Sequence, residues 1–220
     1  VVYFVSNKDR DLLALARVKI NENGKPGAIE VVAERTDSEL AGGLMSDDGA
    51  MIALVWNIGG RGELAFYDVK NNRMTAGPNL PAEIVGGGDF TSDGKYLAMV
   101  LTGAASPSNI WTLDLRTKRF TQLTDSPHPG VDLSKMVRPE LVEYTAHDGL
   151  KLSGWLYKPH GAKGAMPLVL SFHGGPEGQE VPGFDSTYQA LLMRGIAVFA
   201  PNVRGSSGFG KKFINLDNGA

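Results

Sequence analysis

Met45-Ser46-Asp47-Asp48-Gly49 runs into the apolar stretch Met51-Ile52-Ala53-Leu54-Val55, and the pattern returns as Phe90-Thr91-Ser92-Asp93-Gly94 before Tyr96-Leu97-Ala98-Met99-Val100. The two turn glycines, Gly49 and Gly94, are 45 residues apart. A second pair of strands keeps almost the same offset: Leu64-Ala65-Phe66-Tyr67-Asp68-Val69 aligns with Ile110-Trp111-Thr112-Leu113-Asp114-Leu115. Asp-Gly suits the hairpin between strands because glycine takes positive φ without steric cost. A four-strand unit repeating every ~40–45 residues is the pattern of β-propeller blades. Residues 1–35 fit another blade lacking its beginning, with Val1–Val5, Leu12–Ile20, a turn at Asn23-Gly24 and Ala28–Ala33. That makes about two and a half blades, where closed propellers need ~4–8. The alternative is a β-sandwich whose turns happen to be evenly spaced. On either reading this half holds no catalytic cluster, and its aspartates sit where turns want them.

The texture changes after the turn-rich stretch Thr124-Asp125-Ser126-Pro127-His128-Pro129-Gly130. Val142–Ala146 and Lys151–Tyr157 flank His147-Asp148-Gly149 and predict a hairpin. Leu168-Val169-Leu170-Ser171-Phe172 predicts a continuous apolar strand, Thr187–Arg194 a helix closed by Gly195, and Ile196–Ala200 a second apolar strand. Strand, helix and strand with fully apolar strands predict a buried parallel sheet. The expected division is a partial β-propeller over 1–136 and the N-terminal part of an α/β domain over 137–220.

Chemistry is expected beyond the carboxyl ends of those parallel strands, where open α/β sheets bind ligands. His173-Gly174-Gly175-Pro176 follows the first strand. Two glycines there let backbone N–H groups face a bound group, which is what an oxyanion hole requires; the alternative is a glycine turn with a hydrogen-bonded histidine. Asn202-Val203-Arg204-Gly205-Ser206-Ser207-Gly208-Phe209-Gly210-Lys211-Lys212 follows the second strand. From Gly205 it matches G-x-x-x-x-G-K, but Lys212 stands where a phosphate loop needs Ser or Thr. No G-x-S-x-G occurs, so no nucleophile elbow is present. His128, His147, His160 and His173 show no metal-ligand spacing, and the first three read as surface histidines.

Composition narrows the classes. Twenty-two Lys and Arg against 24 Asp and Glu give a net charge of −2, so no basic field points to nucleic acid. There is no cysteine, which removes thiol catalysis and Cys-ligated metals. No cofactor is called for, and apolar runs of about six residues fall far short of the ~20 of a membrane-spanning helix. The 28 glycines, about 13% where ~7% is usual, suit a chain of tight turns. The chain opens on Val1-Val2-Tyr3-Phe4, as though inside a strand. The compartment is left open between a bacterial cytoplasm and periplasm, and a homo-oligomer is compatible with all of this.

In this order the two halves resemble the prolyl oligopeptidase family of serine peptidases, nearest its acylaminoacyl-peptidase and dipeptidyl-peptidase-like branches. The blades with Ser/Thr-x-Asp-Gly turns carry the match, with Pro139-Glu140-Leu141-Val142, Asp148–Pro159, His173-Gly174-Gly175-Pro176, Gly195-Ile196-Ala197-Val198 and Asn202–Gly210. Phe209 departs mildly, since the family more often has Tyr there. The resemblance implies an α/β-hydrolase domain capped by the propeller, cleaving short peptides with a Ser-Asp-His triad. This chain would supply the N–H of Gly174 or Gly175 to the oxyanion, with His173 and Arg204 at the lip of the site. His173, in place of an oxyanion-binding tyrosine, implies the backbone-based arrangement; Arg204 is expected to brace its loop. The triad would lie beyond Ala220, so a C-terminal hydrolase portion, on this polypeptide or a second chain, is the implied partner, and this chain alone would be inactive. The alternatives are an ester hydrolase of the same fold and a non-catalytic propeller binding module.

Overall fold

The computed structural model describes residues 1–175 and 177–218. The first half forms three antiparallel sheets, each made of strands that neighbour one another in sequence. The first holds β1 (Val2–Ser6), β2 (Ala14–Ile20) and β3 (Pro26–Ala33). The second holds β4 (Glu39–Met45), β5 (Met51–Ile58), β6 (Arg61–Asp68) and β7 (Arg73–Ala76). The third holds β8 (Ile84–Phe90), β9 (Tyr96–Gly103), β10 (Ser106–Asp114) and β11 (Phe120–Gln122). These meanders are propeller blades, and the evenly spaced turns do not belong to a two-sheet sandwich.

The repeated turn has a specific chemistry. Gly49 N–H donates to the Ser46 carbonyl at 2.8 Å, Ser46 Oγ donates to Asp48 at 2.6 Å, and the Met51 N–H returns to Ser46 Oγ at 3.0 Å. Forty-five residues on, Gly94 N–H donates to the Thr91 carbonyl at 2.8 Å, Thr91 Oγ1 to Asp93 at 2.8 Å, and Tyr96 N–H to Thr91 Oγ1 at 3.1 Å. Hydroxyl, carboxylate and glycine are each needed: Gly49 and Gly94 have φ of +67° and +65°. The Lys95 ammonium, helped by the Thr91 hydroxyl, holds the Asp93 carboxyl down at about 2.

The unbroken apolar run of β5 follows from burial on both faces. Ile52, Leu54 and Trp56 point into the core shared with the first sheet, where Leu15 and Ala33 meet them. Met51, Ala53 and Val55 point the other way, toward Phe90, Leu97, Met99 and Leu101 of the third. Successive side chains alternate faces, so a strand between two sheets needs no polar side. The outer faces of the two flanking sheets keep apolar residues exposed, among them Ile29 and Val31 on one and Tyr96, Val100 and Ile110 on the other.

A 3₁₀ turn at Leu133–Lys135 leads into a mixed sheet ordered β12-β13-β15-β14. Here β12 (Glu140–Thr145) and β13 (Lys151–Tyr157) form the expected hairpin, and β14 (Leu168–Leu170) pairs in parallel with β15 (Ala197–Asn202). The crossover carries α1 (Ser186–Met193), which starts at Asp185, whose carboxylate accepts the Thr187 and Tyr188 N–H groups at 2.7 and 3.1 Å. It stops at Gly195, with φ +77°. A last short helix, α2 (Lys211–Ile214), is followed by a 3₁₀ turn at Asn215–Asp217.

Two strand expectations are corrected. The first parallel strand ends at Leu170, short of Phe172. It is also not buried: Leu168, Leu170 and Phe172 are 52%, 55% and 61% exposed, because β14 pairs only with β15 and no described element covers its outer face. The buried parallel strand is β15, with Ala197, Val198 and Ala200 almost fully enclosed.

The halves share a core. Ala104 from the third blade and Val137 join Trp155, Tyr157, Leu192, Val198 and Ala200. The expected boundary at 136/137 therefore falls on a buried, pinned stretch, where the Gln189 side chain accepts the Val137 N–H and donates to the Ala104 and Val137 carbonyls.

Candidate active site

Both loops singled out from the sequence leave the same end of the sheet and meet. His173 follows β14, and its Nε2 lies 2.7 Å from Oγ of Ser206, a fully buried residue in the loop after β15. Its Nδ1 lies 2.9 Å from the carbonyl oxygen of Gly174. A carbonyl only accepts, so Nδ1 carries the proton and Nε2 accepts from the Ser206 hydroxyl. The imidazole thus staples the two strand-end loops together. Ser207 N–H adds a backbone bond to the Gly178 carbonyl at 2.9 Å.

The same contact orients the next peptide. The described residues contain no cis peptide bond. In a trans peptide C=O and N–H point in opposite directions. With the Gly174 carbonyl turned onto the His173 ring, the Gly175 N–H points away from it, and no acceptor among the described residues takes it. Pro176, the last residue of the motif, lies outside the described residues, as does Ala220.

Behind these loops lies a polar cluster. Asn202, fully buried at the end of β15, accepts the Glu180 N–H at 2.8 Å and donates to the Glu180 carbonyl at 3.4 Å. Tyr188 of α1 donates its hydroxyl to Glu180 at 3.2 Å and sits 2.7 Å from the Ser171 hydroxyl. Burial pushes the Glu180 carboxyl above the usual range, and the Tyr188 hydrogen bond only partly offsets this. Glu180 and Tyr188 were not legible as site residues: Glu180 lies in the polar stretch before the predicted helix Thr187–Arg194, Tyr188 within that helix, and neither belongs to a motif.

Arg204 is partly exposed and donates to Asp148 at 2.6 Å, tying the loop after β15 to the β12–β13 turn. That bond, with the Leu150 N–H, holds the Asp148 carboxyl low. The phosphate-loop pattern leads nowhere. At the start of α2 the Lys212 N–H donates to the Asp11 carboxylate at 2.7 Å, so an acidic side chain stands where a phosphate would. His128 and His160 lie 2.6 and 3.1 Å from the Ser126 and Lys135 carbonyls, away from the site. Among the described residues no group of three His, Cys, Asp or Glu could hold a metal, and no helix is long and apolar enough to cross a membrane.

Blades followed by a mixed α/β sheet, with a glycine loop at the end of its parallel strands, define a propeller-linked α/β architecture. Over residues 108–218 the chain belongs to the family described as acetyl xylan esterase (AXE1), and the curated proteins it is similar to along more of its length are peptidases. It is 27% identical over 207 residues to the uncharacterized peptidase YuxL of Bacillus subtilis, covering 88% of this chain and 31% of that protein. It is 33% identical over 150 residues to dipeptidyl aminopeptidase BIII of Pseudoxanthomonas mexicana, covering 62% and 22%. Prolyl oligopeptidase B from Galerina marginata, bound to a 35mer hydrolysis and macrocyclization substrate, superposes with a TM-score of 0.81 at 18% identity, over 97% of this chain and 30% of that one. The chain thus spans about a third or less of these three proteins.

Proposed function

We propose that the intact protein is a serine peptidase cleaving short peptides, and that this chain contributes its oxyanion donor and part of its propeller cap. On this reading residues 1–136 are propeller blades and residues 137–220 open an α/β-hydrolase domain. The apolar residues left exposed on the outer sheet faces and on β14 support both parts being continued by further structure. The nucleophile, aspartate and histidine would come from a hydrolase portion beyond Ala220.

The observation that carries the reading is the Gly174 carbonyl held by the His173 ring. It leaves the Gly175 N–H as a fixed donor, and a preorganised donor costs no reorganisation as negative charge develops on a carbonyl oxygen. Gly175 rather than Gly174 is therefore the oxyanion donor. Ser206 is fully buried, so its hydrogen bond to His173 holds the loop and leaves no room for a substrate carbonyl to meet the hydroxyl as a nucleophile. Arg204 braces the lip through Asp148.

The acetyl xylan esterase match favours a second reading, an ester hydrolase using the same donor. Turnover of peptide anilides against acetyl esters by the intact protein separates the two. Hydrolysis of esters alone would sink the peptidase assignment.

A further inference from the structure

The hairpin joining β5 and β6 in the second blade reaches the strand-end loops. Asn57 Oδ1 accepts the Gly60 N–H at 2.6 Å, which fixes the orientation of the amide and turns its Nδ2 outward. That nitrogen donates to Gln179 Oε1 at 2.8 Å, and Gln179 Nε2 returns to Asn57 Oδ1 at 3.4 Å. The glycine loop after β15 lies against this pair. A Cβ on Gly208, whose φ is +87°, would stand 2.5 Å from Gln179 Nε2 and 2.6 Å from Asn57 Nδ2. The hairpin tip lies close to the loop after β14 that carries Gln179: a Cβ on Gly60 (φ +102°) would stand 2.7 Å from the Glu180 carbonyl oxygen. Trp155 Nε1 holds the tip from the other side, donating to the Gly59 carbonyl at 3.0 Å.

We propose that Asn57 and Gln179 are positioning residues, through which the propeller blade sets the backbone of the oxyanion loop. This rests on the reading of Gly175 given above. The route is short. Gln179 follows Gly178, whose carbonyl takes the Ser207 N–H and on which a Cβ would collide with the Gly174 carbonyl oxygen and stand 2.7 Å from His173 Nδ1. A shift of Gln179 is thereby passed to the peptide that aims the Gly175 N–H. Displacing a positioning element by about 1 Å can cost up to ~10²-fold in rate.

The test uses the intact protein with a peptide anilide and a fluorophosphonate probe. Asn57→Leu and Gln179→Leu should each lower kcat about tenfold or more, with KM within about twofold. The double variant should be no worse than either single one, because the two act as a unit. Asn57→Asp should retain most of the rate, since it still accepts from Gly60 and a flipped Gln179 amide can donate to its second oxygen. Unchanged kcat in both Leu variants, additive losses, or an Asp variant as poor as Leu would overturn the proposal. If the unsubstituted protein takes no probe, the peptidase reading fails, and amide exchange over residues 177–181 decides the clamp. Faster exchange in Asn57→Leu supports it and unchanged exchange refutes it.

Discussion

Replacing Gln189 with leucine should be the most damaging single change at the junction of the two halves. Gln189 is 4% exposed on α1. Its Oε1 accepts the Val137 N–H at 2.9 Å, and its Nε2 donates to the Ala104 and Val137 carbonyls at 2.9 and 3.0 Å. Val137 and Ala104 are themselves buried, at 6% and 0% exposure, so leucine would strand one N–H and two carbonyls with no water to replace the amide. Each orphaned buried group costs about 1–3 kcal/mol. Leucine recovers at most ~2 kcal/mol by burying its own apolar surface. The net loss for the three groups is then about 1–7 kcal/mol. The assay is urea unfolding of the intact protein followed by tryptophan fluorescence, with Trp155 in the same cluster as reporter. Gln189→Asn, one methylene short, should fall between. A loss below ~0.5 kcal/mol for leucine, with an unchanged m value, would refute this account of the junction.

Other outcomes follow from single contacts. Gly175→Ala would place a Cβ 3.0 Å from the Glu177 nitrogen; it should lower kcat by up to the ~10²–10³ of a lost oxyanion donor, read by steady-state kinetics. Glu180→Gln should stabilise the protein at neutral pH. The folded carboxyl titrates above its unfolded value because burial disfavours its charge, so stability rises as pH falls through that window. The gain from Gln should accordingly shrink below the ordinary glutamate range, which melting temperatures against pH would show. Gly94→Ala puts a Cβ where φ is +65°, and the blade should lose about 1–2 kcal/mol in urea unfolding. Trp155→Phe removes the bond to the Gly59 carbonyl and should cost about 1 kcal/mol.

The blades were legible because their turns depend on local chemistry. Ser46, Asp48 and Gly49 act within five residues of one another, as do Thr91, Asp93 and Gly94, so repetition in sequence is repetition in structure. The two strand-end loops were legible for the same reason, as glycine runs after apolar strands. Their meeting was not: the His173–Ser206 bond spans 33 residues and the Asn57–Gln179 pair 122. The first separation is closed by the pairing of β14 with β15 and the second by the packing of one half on the other, and no local pattern encodes the side-chain contacts that result. The exposure of β14 was missed for a related reason. An apolar run says that a strand wants to be covered, and Leu168–Leu170 carries that preference without a described element over it.

The most direct test of the account is to label the intact protein with a fluorophosphonate probe and map the modified peptide. A serine outside residues 1–220, with labelling slowed in Gly175→Ala, is the predicted result. Labelling of Ser206 or any other serine of this chain would contradict it.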